Sequence, residues 1–175
     1  MDRFTILDRA LLRPATWSVV CGLTVLVHVM YVLAPFDVLD PVDAHVLGRA
    51  ILGGDVPYRD FALEYPPGAI LAFLLPGLAP AGIAPQVLGL QAIACEIGVW
   101  WILDDDGARR RFVFFSMLLF PLLGGGFDGL AMLGVAVSRA LLARGDDRGW
   151  WVAALGAVIK LFPGIAWAWV TRWGR

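Results

Sequence analysis

The sequence predicts an all-α fold: a polytopic transmembrane bundle of five to six spans, with an extracytoplasmic amphipathic helix and loop after the first span. Three observations carry this. The 175-residue chain is 59% hydrophobic, with mean hydropathy +0.75 and only 17% charged residues. A soluble domain runs at about 45–50% apolar and about 25% charged. A single core of this size cannot bury that much apolar surface, so lipid must serve as part of the solvent. The apolar residues also come in long runs, with the charges gathered between them.

The elements follow in order. Arg3, Arg9 and Arg13 precede a first apolar run, 16–35. It is longer than a signal-peptide core and no small-x-small cleavage pattern follows it, so it reads as an anchor. The segment 36–67 holds six acids against two arginines. Residues 68–84 are apolar but broken by Pro76 and Pro80, which fits a short or re-entrant segment. Further spans are expected at 85–103, 112–126, 129–143 and 150–170. The two central ones are short and share a kink or tight turn at Gly124–Gly126.

Charge sets the orientation. Arginine-rich connections stay in the cytoplasm, which places the N-terminus, Arg109–Arg111 and the Arg144/Arg148 connection inside. The acidic 36–67 loop then lies outside, provided that 68–84 does not cross; the C-terminal 171–175 would also lie outside. The expected location is the inner (plasma) membrane, multi-pass, with a cytoplasmic N-terminus. A net charge of −1 gives no sign of a nucleic-acid partner. Cys21 and Cys95 both fall inside apolar runs and read as small packing residues.

The outer segment divides in two. Residues 40–54 read as an amphipathic helix, with Asp40 as cap, Pro41 at the first helical position and Asp43 at the third. Val42, Val46, Leu47, Ala50 and Ile51 form its apolar stripe, expected in the lipid headgroup boundary, while Asp43, His45 and Arg49 face elsewhere. Gly53 or Gly54 ends it. Residues 55–67 are too proline-rich for a helix and too irregular for a strand, and read as an ordered loop. Its Tyr58, Phe61 and Tyr65 suit the water–lipid interface.

Glu96, Arg139 and Lys160 are ionisable residues inside apolar runs. Each costs roughly 2.5–3.5 kcal/mol at a helix centre on insertion scales. Arg139 is near a cytoplasmic end and can snorkel. Glu96 either pairs with a neighbouring helix or serves function. Lys160, in the middle of 150–170 and three residues before Pro163, either pairs with Glu96 or Asp128 or offers a fixed positive charge to a phosphate. Asp128 is either a helix cap or a second carboxylate on the active side.

Taken together, Asp40…Ala50, then Gly54-Asp55-Val56-Pro57-Tyr58-Arg59-Asp60-Phe61, Glu64-Tyr65-Pro66-Pro67, Phe127-Asp128 and Lys160-Leu161-Phe162-Pro163 form a pattern. It resembles the polytopic GT-C glycosyltransferases, most nearly the glycosyltransferase 87 type, the polyprenol-phosphate-mannose-dependent α-mannosyltransferases of actinobacteria. The resemblance spans roughly residues 16–170. It implies inverting transfer of a mannosyl or other hexosyl unit on the outer side of the membrane. The donor would be a polyprenyl-phosphate-linked sugar and the acceptor a hydroxyl of a glycolipid or glycan. It further implies Asp40 or Asp43 as catalytic base, with Arg59, Asp60, Glu64, Tyr65, Asp128 and Lys160 around the substrates. The lipid-linked phosphosugar is the donor substrate; a divalent metal stays open as a cofactor, although no metal-ligand cluster is visible in the sequence.

Two features depart from the family pattern. Its members carry more spans, so an incomplete module that needs its remainder for activity is expected. The aromatic that often follows the loop aspartate is replaced by Ala44 and Leu47. Two alternatives stay open: a non-catalytic membrane partner subunit of similar fold, bound to a larger membrane protein, and a small transporter or flippase using Glu96 and Lys160.

Overall fold

The computed structural model describes residues 5–33, 44–63, 65–123 and 128–160. Every regular element among them is helical. The helices are α1 (Thr5–Leu11), α2 (Pro14–Leu33), α3 (Ala44–Leu52), α4 (Ile70–Leu78), α5 (Ala84–Ile102), α6 (Asp106–Leu123), α7 (Asp128–Ala143) and α8 (Arg148–Ile159), with short 3₁₀ turns leading into α4 and α5. Two helical stretches, Pro14–Leu33 and Ala81–Ile102, are long and apolar enough to cross a membrane.

Contacts fix the helix directions. Gly89 of α5 lies against the Tyr31 ring, and His28 of α2 meets Glu96 of α5, so these helices run antiparallel. Pairs between α2 and α6 climb together: Thr24 with Val113, His28 with Ser116, Tyr31 with Phe120. Gly129 of α7 sits on Ala92 and Cys95, and Gly98 on Leu133, so α7 runs parallel to α5. The α7–α8 pair turns back on itself, bringing Gly149 to Leu142 and Gly134 to Gly156. One end of the bundle therefore gathers α1, the starts of α2, α6 and α8, and the ends of α5 and α7. The opposite end gathers the end of α2, the starts of α5 and α7, and the end of α8.

The first end is built on arginine. Arg111 grips the Asp8 carboxylate with two hydrogen bonds of 2.7 and 2.8 Å, and Arg110 donates to the Leu11 carbonyl at 2.8 Å, clamping α1 to α6. Arg109 and Arg110 also lie over the rings of Trp100 and Trp17, 5.0 and 5.3 Å from the centroids. Here the helix begins ahead of the expected span 112–126. Asp105 accepts the Ala108 N–H at 2.6 Å, an N-cap bond, so α6 starts at Asp106 and takes in all three arginines. The acids ahead of them also suit the positive end of the helix dipole.

At the other end, α3 lies on α4 through two glycines. A Cβ on Gly48 would fall 2.7 Å from Gly77 Cα, so the backbones themselves touch. The buried face of α3 is consequently Ala44 and Gly48, with Leu47 partly buried, while Val46 is exposed. Glycine, which a stripe chosen by hydrophobicity overlooks, thus makes the surface by which α3 packs on α4. His45, expected to face away, places Nδ1 3.2 Å from the Pro76 carbonyl. The expected capping by Asp40, Pro41 and Asp43 lies outside the described residues, as does the Gly124–Gly126 turn. The expected stop holds: Gly54 takes φ +101°, with Gly54 N–H bonded to Ile51 and Asp55 N–H to Ala50.

Helix α4, nine residues long, spans only about 14 Å, less than half of a hydrocarbon core of about 30 Å. The ends it indirectly joins, Leu33 of α2 and Ala84 of α5, lie at the same end of the bundle. Cys21 and Cys95 are free thiols within helices, Cys95 buried.

Candidate functional site

The α7–α8 hairpin makes the first candidate site. Gly145, at φ +74°, closes α7, with Gly145 N–H on Leu142 and Asp146 N–H on Leu141, and the chain turns back into α8. That antiparallel return brings the first residue of α7, Asp128, to the residue just beyond α8, Lys160, and the two form an ion pair. Asp128 sits at the positive end of the α7 dipole and Lys160 at the negative end of α8, so each charge is also favoured by its own helix. The helical run read over 150–170, expected to bend beside Lys160, is broken there. Helix α8 stops at Ile159, and Lys160 is extended, with φ −150° and ψ 133°. By its sequence position, Pro163 has no N–H to offer the Ile159 carbonyl, which accounts for the stop.

The loop from the acidic segment docks on this hairpin end. Gly68 is pressed so close that a Cβ there would fall 2.8 Å from Val158 and Ile159 backbone atoms. Ala69 and Leu63 are buried in one cluster with Ile159 and Ala131, and Phe61 and Tyr65 pack on that cluster. The Tyr65 ring tilts over Phe73 at 6.1 Å, and the Tyr58 hydroxyl donates to the Tyr65 carbonyl. Three pieces far apart in sequence, residues 61–63 and 65–69, Asp128 and Lys160, thus share one end of the bundle.

Arg59 and Asp60 sit on the exposed turn above. Asp60 Oδ2 accepts the Val56 N–H at 2.7 Å, while Arg59 bonds both Asp60 oxygens at 2.7 and 2.8 Å. The Arg59 guanidinium and the Val56 N–H hold the Asp60 carboxyl below the usual aspartate range, and Asp60 in turn pushes Arg59 up. Asp60, expected at the substrate, is engaged in folding its own turn, where Tyr58 takes φ +66°. Arg59 keeps 70% of its side chain exposed. Asp40, Asp43 and Glu64, also expected at the site, lie outside the described residues.

A second candidate is a groove between α2, α5 and α6. It measures about 540 Å³ and is walled by apolar side chains such as Val25, Val29, Ile93 and Ile97. Its polar side is a cluster. Glu96 Oε2 lies 2.8 Å from His28 Nε2 and accepts the Ser116 hydroxyl; His28 Nδ1 lies 2.6 Å from the Thr24 carbonyl. The His28 ring also stacks on Phe120, with centroids 3.9 Å apart. Glu96 therefore has a helix-to-helix partner, as one of its two sequence readings held, but the partners themselves were missed. His28 was visible as an ionisable residue inside the first apolar run, the same signal that marks Glu96. Ser116 carries no such signal, since a serine in a span ordinarily bonds its own helix.

Among the described residues, no group of three or more His, Cys, Asp or Glu side chains is placed to hold a metal ion. The chain matches no family model, no curated protein and no solved structure.

Proposed function

We propose that the chain is a multi-pass membrane glycosyltransferase module of the GT-C type, its arginine-rich end in the cytoplasm and its Asp128–Lys160 end facing outward. The reading is supported by one juxtaposition. Elements that carried the sequence resemblance, the turn at Tyr65–Gly68, Asp128 and Lys160, lie at one end of the helices. On this topology 34–83 enters and leaves on the outer side, and the α5–α6 and α7–α8 connections lie inside.

The donor is a polyprenyl-phosphate-linked hexose and the acceptor a glycolipid or glycan hydroxyl. Asp40 or Asp43, just before α3 in the sequence, takes the acceptor proton as the acceptor oxygen bonds to the anomeric carbon. The bond from that carbon to the phosphate oxygen breaks on the opposite face, and its electron pair leaves with the polyprenyl phosphate. Lys160, held by Asp128, and the exposed Arg59 supply positive charge where that phosphate charge develops.

The test uses membranes carrying the full coding sequence and a labelled polyprenyl-phosphate mannose. Asp40→Asn or Asp43→Asn is expected to lower transfer by about 100- to 10,000-fold at unchanged membrane level, the range of general-base catalysis. Undiminished transfer in both variants contradicts the reading. Absence of any transfer, with a larger membrane protein co-purifying, replaces it with the partner-subunit reading.

A further inference from the structure

The arginine end of the bundle holds a pocket of its own, far from the Asp128–Lys160 end. It is lined by Asp8, Leu11 and Leu12 on one side and by Asp105, Arg110 and Arg111 on the other. In the chain these residues stand just outside Pro14 and Ile102, where the two stretches long enough to cross a membrane begin and end. Trp17, Trp100, Trp101, Trp150 and Trp151 gather at the same end, with Trp101 and Trp151 largely exposed. Tryptophan is enriched where a bilayer meets water, so this end suits a membrane surface whichever reaction the opposite end performs. The charges of the pocket are unequally spent. Arg111 grips Asp8 with two hydrogen bonds and lies 3.6 Å from Asp105 Oδ2. Arg110 gives one donor to the Leu11 carbonyl and its face to the Trp17 ring. A guanidinium has five N–H donors, and no other Arg110 hydrogen bond occurs among the described residues. Asp105 uses Oδ2 to cap α6 and keeps 69% of its side chain exposed.

We infer that this pocket holds the headgroup of phosphatidylethanolamine, its phosphate on Arg110 and its ammonium on Asp105. Charge complementarity selects that headgroup. Two arginines and two aspartates line the pocket, so their charges cancel, and a zwitterion matches them where a net charge does not. The guanidinium fork suits a phosphate, which it can bond through two parallel N–H groups. An ammonium brings N–H donors to the Asp105 carboxylate. An anionic headgroup without an ammonium sets its phosphate charge near Asp105 and Asp8 with nothing to offset them. A choline headgroup keeps the positive charge but has no N–H to donate. The surroundings select a lipid over a soluble zwitterion. Leu12 in the lining and Ile6 on α1 are largely exposed, and they offer the acyl chains an apolar path beside the charged pocket.

The test places the full chain in detergent micelles doped with equal amounts of phosphatidylethanolamine, phosphatidylcholine and phosphatidylglycerol. Intact protein–lipid complexes are then weighed by native mass spectrometry. Phosphatidylethanolamine is expected to be retained about fivefold over each of the others, the weight of one partly exposed charge pair. Asp105→Asn is expected to bring it down to the phosphatidylcholine level. Asparagine caps a helix as well as aspartate does, so this variant removes the charge and keeps the start of α6. Arg110→Gln is expected to lower retention of all three lipids. Equal retention of the ethanolamine and choline lipids by the unaltered protein overturns the inference, and needs no variant to fold. Preference for phosphatidylglycerol overturns it in favour of a general basic surface. An undiminished ethanolamine preference in Asp105→Asn overturns it too, because the ammonium is then held elsewhere.

Discussion

Asp60 shows how the proline-rich loop keeps its shape at an exposed position. Its two oxygens hold the Val56 amide and the Arg59 guanidinium, and both interactions favour the charged carboxylate. The folded turn therefore binds its proton less readily than the unfolded chain. Its contribution to the turn is full above the ordinary aspartate value, about pH 3.9, and is lost as pH falls through the lower folded value. Hydrogen exchange at the Val56 amide is expected to be slow at pH 5 and, after correction for intrinsic rate, to accelerate below about pH 4. In Asp60→Asn that pH step is expected to disappear; a persistent step would place the titrating group elsewhere. The density of acids in 36–67 was plain in the sequence, but their division of labour was not. A short-range pair such as Arg59–Asp60 reads as two free site residues until the turn that joins them is known.

Among the helices, apolar length was legible and glycine contacts were not. The start of α5 at Ala84 and its end at Ile102 fall within one residue of the span read from hydropathy. The start of α6 lies ahead of the apolar run because a capping aspartate decides it, and α8 stops where the downstream proline was expected to bend it. The α3–α4 contact was invisible because it rests on Gly48 and Gly77, which carry no hydrophobic signal. It gives a comparison of three substitutions. Gly48→Ala would put a methyl 2.2 Å from the Phe73 carbonyl oxygen and is expected to cost about 1–3 kcal/mol. Gly54→Ala meets nothing within 4 Å and carries only the left-handed backbone cost, about 1–2 kcal/mol. Gly22→Ala, open and mid-helix in α2, is expected to stabilise by about 0.5–1 kcal/mol. Unfolding of the three variants in one detergent checks the order; a stabilised Gly48→Ala would contradict the close approach.

The bundle as a body has two unlike ends, as the placing of arginines and acids along the sequence suggested. Arginine with tryptophan gathers at one end, in Arg109–Arg111, Trp100 and Trp17; the proline-rich loop, Asp128 and Lys160 gather at the other. The positive-inside rule could assign sides to these groups from sequence, but not show which helices run together. Small contacts such as Gly129 on Cys95 and Gly134 on Gly156 do that. The proposed outward site depends on the Arg59 turn and the Asp128–Lys160 end lying outside, with the α5–α6 and α7–α8 connections inside. Single cysteines at positions 59, 107 and 145, in a chain without Cys21 and Cys95, can be labelled in intact cells with a membrane-impermeant maleimide. Labelling is expected at 59 at once, and at 107 and 145 only after permeabilisation. Labelling of 59 and 145 from the same side would contradict the proposed arrangement.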